Sequence, residues 1–101
     1  MTVRADPHEL DGDWVVHRES GLLPPLWGVR KHIEGRHGWT TFGPLRMPFA
    51  LDGHELHYRA PFTSFVDIVE PMGPGSCAGR ATFRGRTFAT FTMTRVSAST
   101  D

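Results

Sequence analysis

"WGVRKHIE", residues 27–34, has a period of two that only Lys31 interrupts. Gly28, Arg30, His32 and Glu34 belong in water, so Trp27, Val29, Lys31 and Ile33 form the opposite face, because successive side chains of a strand point to opposite sides. The segment reads as a half-buried β-strand whose inner face carries a lysine. A lysine in a low-dielectric interior must find an anion, lose its proton or stretch to solvent. Either the stem of Lys31 lies along the wall with its ammonium reaching out through one end, or the ammonium anchors a ligand carboxylate, phenolate or enolate.

The same period-two pattern recurs at residues 13–19, 39–42, 46–50, 54–60, 64–70, 77–84 and 87–96. The runs are separated by EGRHG, GPL, LDG, EPMGPGS and RGR, which are turn-forming compositions. No helical periodicity longer than about two turns and no internal repeat interrupts them. The expectation is an all-β protein, an antiparallel eight-stranded meander. With no helix to cover an open sheet, closing it into a small β-barrel removes both edges; a β-sandwich is the competing arrangement. At 101 residues the chain supports one domain, residues 1–101, with 1–10 an N-terminal extension and 97–101 a C-terminal tail.

Eleven basic and eleven acidic residues cancel, so the overall field attracts neither nucleic acid nor an anionic membrane. No run approaches the ~20 apolar residues of a membrane span, and the charged N-terminus lacks a signal-peptide core. A cytoplasmic location is expected. The single cysteine, Cys77, leaves no internal disulfide and no cluster of soft metal ligands. His54 and His57, three apart on a strand, point to opposite faces and do not make a metal pair. No phosphate-binding loop, nucleophile elbow or catalytic triad is present. Neither metal nor cofactor is expected.

The first strand opens Gly12-Asp13-Trp14 and the last ends Phe91-Thr92-Met93-Thr94-Arg95. This resembles the calycin superfamily, the lipocalins and fatty-acid-binding proteins, in which G-x-W opens the first strand and a basic residue of the last strand packs across the tryptophan at the closed end. The matching positions are Gly12, Trp14 and Arg95. The resemblance implies a barrel with an internal ligand and inward basic side chains as its anchors. With Trp14 inside, Val16 and Arg18 share its face, so Arg18 is expected inward beside Lys31. The resemblance also makes the apolar stretch after the first strand a lid, with Leu22, Leu23 and Leu26 over the mouth and Pro24 and Pro25 stiffening it. A permanent apolar plug or a homodimer contact are the alternatives.

Continuing the alternation places Phe49, Tyr58, Phe83 and Phe91 on the inner wall, with His54 also inward. Gly79, Ala81 and Ala89 are small residues there that leave room. Aromatic walls with a few polar groups are how small-molecule sites are lined, which makes Arg18, Leu22, Leu23, Trp27, Val29, Lys31, Phe49, Tyr58, Phe83 and Phe91 the candidate ligand-binding residues. Phe88 is either an exposed aromatic or the mark of a β-bulge. Asp67, in SFVDIVE, has two phases. Facing inward it is a general base among apolar groups; facing outward it pairs with Arg59 and Arg80 across strands, the phase favoured by their charge. Lys31, Tyr58 and Asp67 are the candidate catalytic residues.

Three functions compete on this sequence. The first is binding of a hydrophobic small molecule with an anionic or carbonyl end. The second is a cofactor-independent isomerase or cyclase, cycloaddition included, acting on a polyketide-like substrate in natural-product biosynthesis, where shape and one cation supply the catalysis. The third is a structural or protein-interaction domain.

Overall fold

A computed structural model describes residues 9–21 and 28–96. The alternating runs form eight strands: β1 (Gly12–Gly21), β2 (Val29–Glu34), β3 (His37–Phe42), β4 (Leu45–Asp52), β5 (Glu55–Tyr58), β6 (Phe65–Gly73), β7 (Ser76–Phe83) and β8 (Arg86–Arg95). Each pairs antiparallel with the next, and β8 returns to β1 from Trp14↔Arg95 to Gly21↔Ala89, so the meander closes into a barrel and not a sandwich. Closure pairs the first and last strands of the meander with each other, so neither is an open sheet edge. Among the described residues no helix is long and apolar enough to cross a membrane.

Turn chemistry sets the strand ends. The two-residue link between β7 and β8 is Arg84-Gly85, with φ of 52° and 83°. Two successive positive φ values make the type I′ hairpin turn, whose twist matches that of the flanking strands.

The closed end is built from the large inward residues Trp14, Ile33, Phe49, Leu56, Val69 and Met93, all buried. The Arg95 guanidinium lies 4.5 Å from the Trp14 ring centre, and its Nη2 donates to the Glu9 carbonyl at 3.0 Å. Trp14 Nε1 donates to the Leu10 carbonyl at 2.9 Å, and Leu10 itself joins the core. A cation over an indole face contributes about 0.5–2 kcal/mol, depending on desolvation. Gly12 allows the approach: a Cβ there would stand 3.3 Å from Arg95 Nε, on a backbone whose φ is +129°.

Two of the inner-wall glycines are filled spaces. A Cβ on Gly79 would collide with the Phe91 ring, and one on Gly38 with the Phe49 ring and the His32 carbonyl. The room expected at Gly79 is therefore occupied by an aromatic neighbour. His54 departs from the expected inward facing; it lies in the turn before β5, half-exposed, with Nε2 3.0 Å from Glu9 Oε1. A β-bulge separates Ala81↔Ala89 from Thr82↔Thr87 and leaves Phe88 without a partner. The extra residue turns the Phe88 ring against the core, where it is half-buried.

Candidate functional site

Lys31 projects from β2 into the barrel and is 3% exposed. Its Nζ donates to Thr40 Oγ1 of β3 at 2.8 Å, to Tyr58 Oη of β5 at 2.8 Å and to Asp67 Oδ2 of β6 at 2.7 Å. Three donors are all that an ammonium has. The Tyr58 hydroxyl donates to Asp67 Oδ2 at 2.6 Å. Thr40 Oγ1 lies 2.7 Å from Tyr58 Oη; with the phenolic proton directed to Asp67, Thr40 is the donor in that contact. The rings of Phe49, Tyr58 and Phe91 stand 5.8, 5.5 and 5.6 Å from Nζ, so aromatic faces cover what the hydrogen bonds leave open.

Asp67 lies inside the barrel at 7% exposure, and does not form the outward pair with Arg59 and Arg80. The physical reason is the partner. Strand β6 is apolar in both phases, Phe65 and Val69 on one side and Val66 and Ile68 on the other, so its pattern does not choose. The inward phase brings the carboxylate to a buried ammonium that otherwise has no counter-charge among the described residues, and an unpaired buried charge is far costlier than a surface pair is favourable.

Burial alone would lower the Lys31 pKa, but the Asp67 carboxylate and the Tyr58 hydroxyl outweigh it and hold the ammonium above its ordinary value. Burial pushes the Tyr58 phenol up to about 12; Lys31 opposes the rise, and the Asp67 charge adds to it. At neutral pH the cluster therefore contains a charged lysine and a neutral tyrosine.

Above the cluster lies a cavity of about 280 Å³, close to the lower end of the ~300–1,000 Å³ range of ligand pockets. Lys31, Thr40, Tyr58 and Asp67 form its polar part, Val16, Val29, Met47, Ala81 and Phe91 its walls, and Phe42, Phe62, Phe65 and Phe88 the aromatic end toward the mouth. The mouth is the end where β3 stops at Phe42 and β6 starts at Phe65, opposite the Trp14–Arg95 seal.

Of the residues expected at a site, Val29, Lys31, Tyr58, Asp67 and Phe91 are brought together around this cavity. Phe49 packs edge-on beneath Tyr58, 5.6 Å between ring centres, and supports the site from the closed end. Two expectations are corrected. Arg18 is exposed, with Nη1 donating to the Gly21 carbonyl at 3.2 Å. It sits beside the β1 bulge at the mouth end, where a long side chain reaches water and avoids the cost of burying a second cation. Phe83 is 40% exposed because it falls beyond the β8 bulge at Phe88, where it pairs with Arg86 and its ring packs on Phe65 and under Arg84. Leu22, Leu23, Leu26 and Trp27, with Pro24 and Pro25, lie outside the described residues.

Thr40, Phe42, Phe62, Phe65 and Phe88 were not singled out as site residues by the sequence. In HGWTTF, residues 37–42, polar residues occupy both phases, and only the inward Gly38 hints at which is buried. Phe88 enters through a bulge, and Phe62 lies in the β5–β6 connection, where alternation has no meaning.

No group of three or more potential metal ligands occurs among the described residues. Comparison of the chain with protein-family models, with curated proteins and with solved structures found no match.

Proposed function

We propose that this barrel binds a hydrophobic small molecule in its cavity, apolar body against the aromatic walls and polar end at the Lys31–Asp67–Tyr58–Thr40 cluster. The observation that carries the reading is the pairing of a cavity of about 280 Å³ with one buried polar group of residues on an otherwise apolar lining. A barrel that needed only a core would fill this volume with side chains. The volume suits a body of one or two fused rings. Calorimetric titration with 2-methoxynaphthalene, an uncharged probe of that size, tests the proposal. Saturable one-to-one binding is expected, abolished by Ala81→Leu, which fills the cavity. No binding to the unaltered protein, or undiminished binding to a folded Ala81→Leu variant, contradicts it.

The calycin relationship belongs to the same proposal. Its support is the Arg95 guanidinium 4.5 Å above the Trp14 ring, with Gly12 alongside. A cytoplasmic setting is likewise part of the reading, supported by the free, buried Cys77.

A second reading, the cofactor-free isomerase or cyclase for a polyketide-like substrate, is favoured by one observation: a carboxylate and a phenol 2.6 Å apart beside an apolar cavity. Such a pair can relay a proton to and from a bound enol. Turnover of an enolisable polyketide-like precursor, lost in Tyr58→Phe, supports it; release of every such precursor unchanged removes it.

A further inference from the structure

We infer that the ligand's polar end is a neutral hydrogen-bond donor, an O–H or N–H, received by Asp67 Oδ1; the inference rests on the cavity being a ligand site. Every donor of the cluster is already used within the protein. The Lys31 ammonium spends its three protons on Thr40, Tyr58 and Asp67, the Tyr58 hydroxyl gives its proton to Asp67, and Thr40 gives its own to Tyr58. No proton is left for a ligand carboxylate or carbonyl, which would have to break one of these bonds to bind.

What remains is an acceptor. Both of the bonds that Asp67 receives from Lys31 and Tyr58 end on Oδ2. Oδ1 accepts no hydrogen bond from the described residues. Among their buried side-chain nitrogens and oxygens only Arg95 Nε lacks a partner, so Oδ1 keeps accessible surface, and on a buried residue that lines the cavity this is cavity surface. The other polar lining residues, Lys31, Thr40 and Tyr58, are saturated as donors.

Charge then selects among donors. Lys31 and Asp67 cancel, so the cluster is neutral as a whole. A ligand ammonium would set a second cation next to Lys31 in a low-dielectric site, where the repulsion is large. A ligand carboxylate would face the unshared lone pairs of Oδ1. A neutral hydroxyl of an enol, phenol or alcohol, or a neutral amide N–H, meets neither penalty and gains a charge-assisted bond. The protein supplies the acceptor, the reverse of an anion anchored by Lys31.

Titration calorimetry at pH 7 with three probes of one shape tests this: 2-naphthol, 2-methoxynaphthalene and 2-naphthoate. The naphthol is expected to bind roughly tenfold to a hundredfold more tightly than the methoxy ether, the usual worth of a hydrogen bond to a charged group, and the naphthoate more weakly than both. In the paired variant Lys31→Met with Asp67→Leu, the preference for the naphthol over the ether should shrink while the ether still binds. Equal binding of naphthol and ether to the unaltered protein, or tightest binding of the naphthoate, overturns the donor assignment and leaves the cavity standing as a ligand site. Binding of none of the three overturns both. The comparison on the unaltered protein decides the matter even where the paired variant does not fold.

Discussion

Lys31 Nζ and Asp67 Oδ2 meet at 2.7 Å from opposite walls of the barrel: β2 and β6 are separated by β3, β4 and β5 on one side and by β7, β8 and β1 on the other. The ion pair is therefore a tie across the interior, with Thr40 and Tyr58 filling the arc between. Its position, between the sealed Trp14 end and the aromatic mouth, makes it at once a core element and the polar part of the cavity.

Breaking the tie on one side should cost far more than removing it. Lys31→Met leaves a buried carboxylate without its counter-charge and is expected to lower the unfolding free energy by about 3–5 kcal/mol, whereas adding Asp67→Leu should recover most of the loss. Urea denaturation of the two single variants and the double variant measures this. A double variant whose loss equals the sum of the two single losses would mean that the pair is not coupled.

Alkaline pH should weaken the fold through the same cluster. Tyr58 is held neutral up to about 12 and Lys31 is held charged above its ordinary range, so both bind their protons more tightly folded than unfolded. Their contribution is complete below the unfolded values of about 10 and is lost as pH rises from there toward the folded values, because the unfolded chain releases protons first. The urea midpoint should fall from about pH 10 upward, and Tyr58→Phe, at the expense of about 1 kcal/mol at neutral pH for the lost hydroxyl, should make that fall shallower. An equally steep decline in the variant would place the effect elsewhere.

Gly79 tests the packing of the cavity wall. Gly79→Ala drives a methyl group into the Phe91 ring and should destabilise by about 1–3 kcal/mol, as overpacked cores do. The displaced ring lines the cavity, so binding of 2-methoxynaphthalene should weaken as well. Adding Phe91→Leu should restore stability; a harmless Gly79→Ala would show that the ring has room to move.

At the other end the opposite separation is expected. Arg95→Ala removes the cation from Trp14 and should cost about 0.5–2 kcal/mol, with a shift of Trp14 emission, while probe affinity stays as it was because the seal is remote from the cavity. Loss of affinity without loss of stability would contradict the division of the barrel into a sealed end and a binding end.

How far the sequence could be read follows the physics of alternation. Strand β2 was legible residue by residue, since its outer face, Arg30, His32 and Glu34, is polar throughout and so forces Val29, Lys31 and Ile33 inward. The seal was legible because Gly12, Trp14 and Arg95 are distinctive residues at matched strand positions. Asp67 was not, because its strand is apolar on both faces and the partner that decides its direction lies 36 residues away. Arg18, Phe83 and Phe88 all adjoin bulges, where a period of two breaks and side-chain direction passes from pattern to register. Thr40 was hidden in a strand polar on both faces, and its role depends on a lysine and a tyrosine that only barrel closure brings to it.

A crystal structure of the protein soaked with 2-naphthol would reveal whether the cavity receives an apolar ligand whose polar end meets the Lys31–Asp67–Tyr58–Thr40 cluster. The ring system is expected between Phe91 and the mouth phenylalanines, with its hydroxyl within hydrogen-bond distance of Asp67 Oδ1. A cavity that stays empty of the probe at saturating concentration, or a probe lodged there with its hydroxyl turned to the mouth, would contradict it.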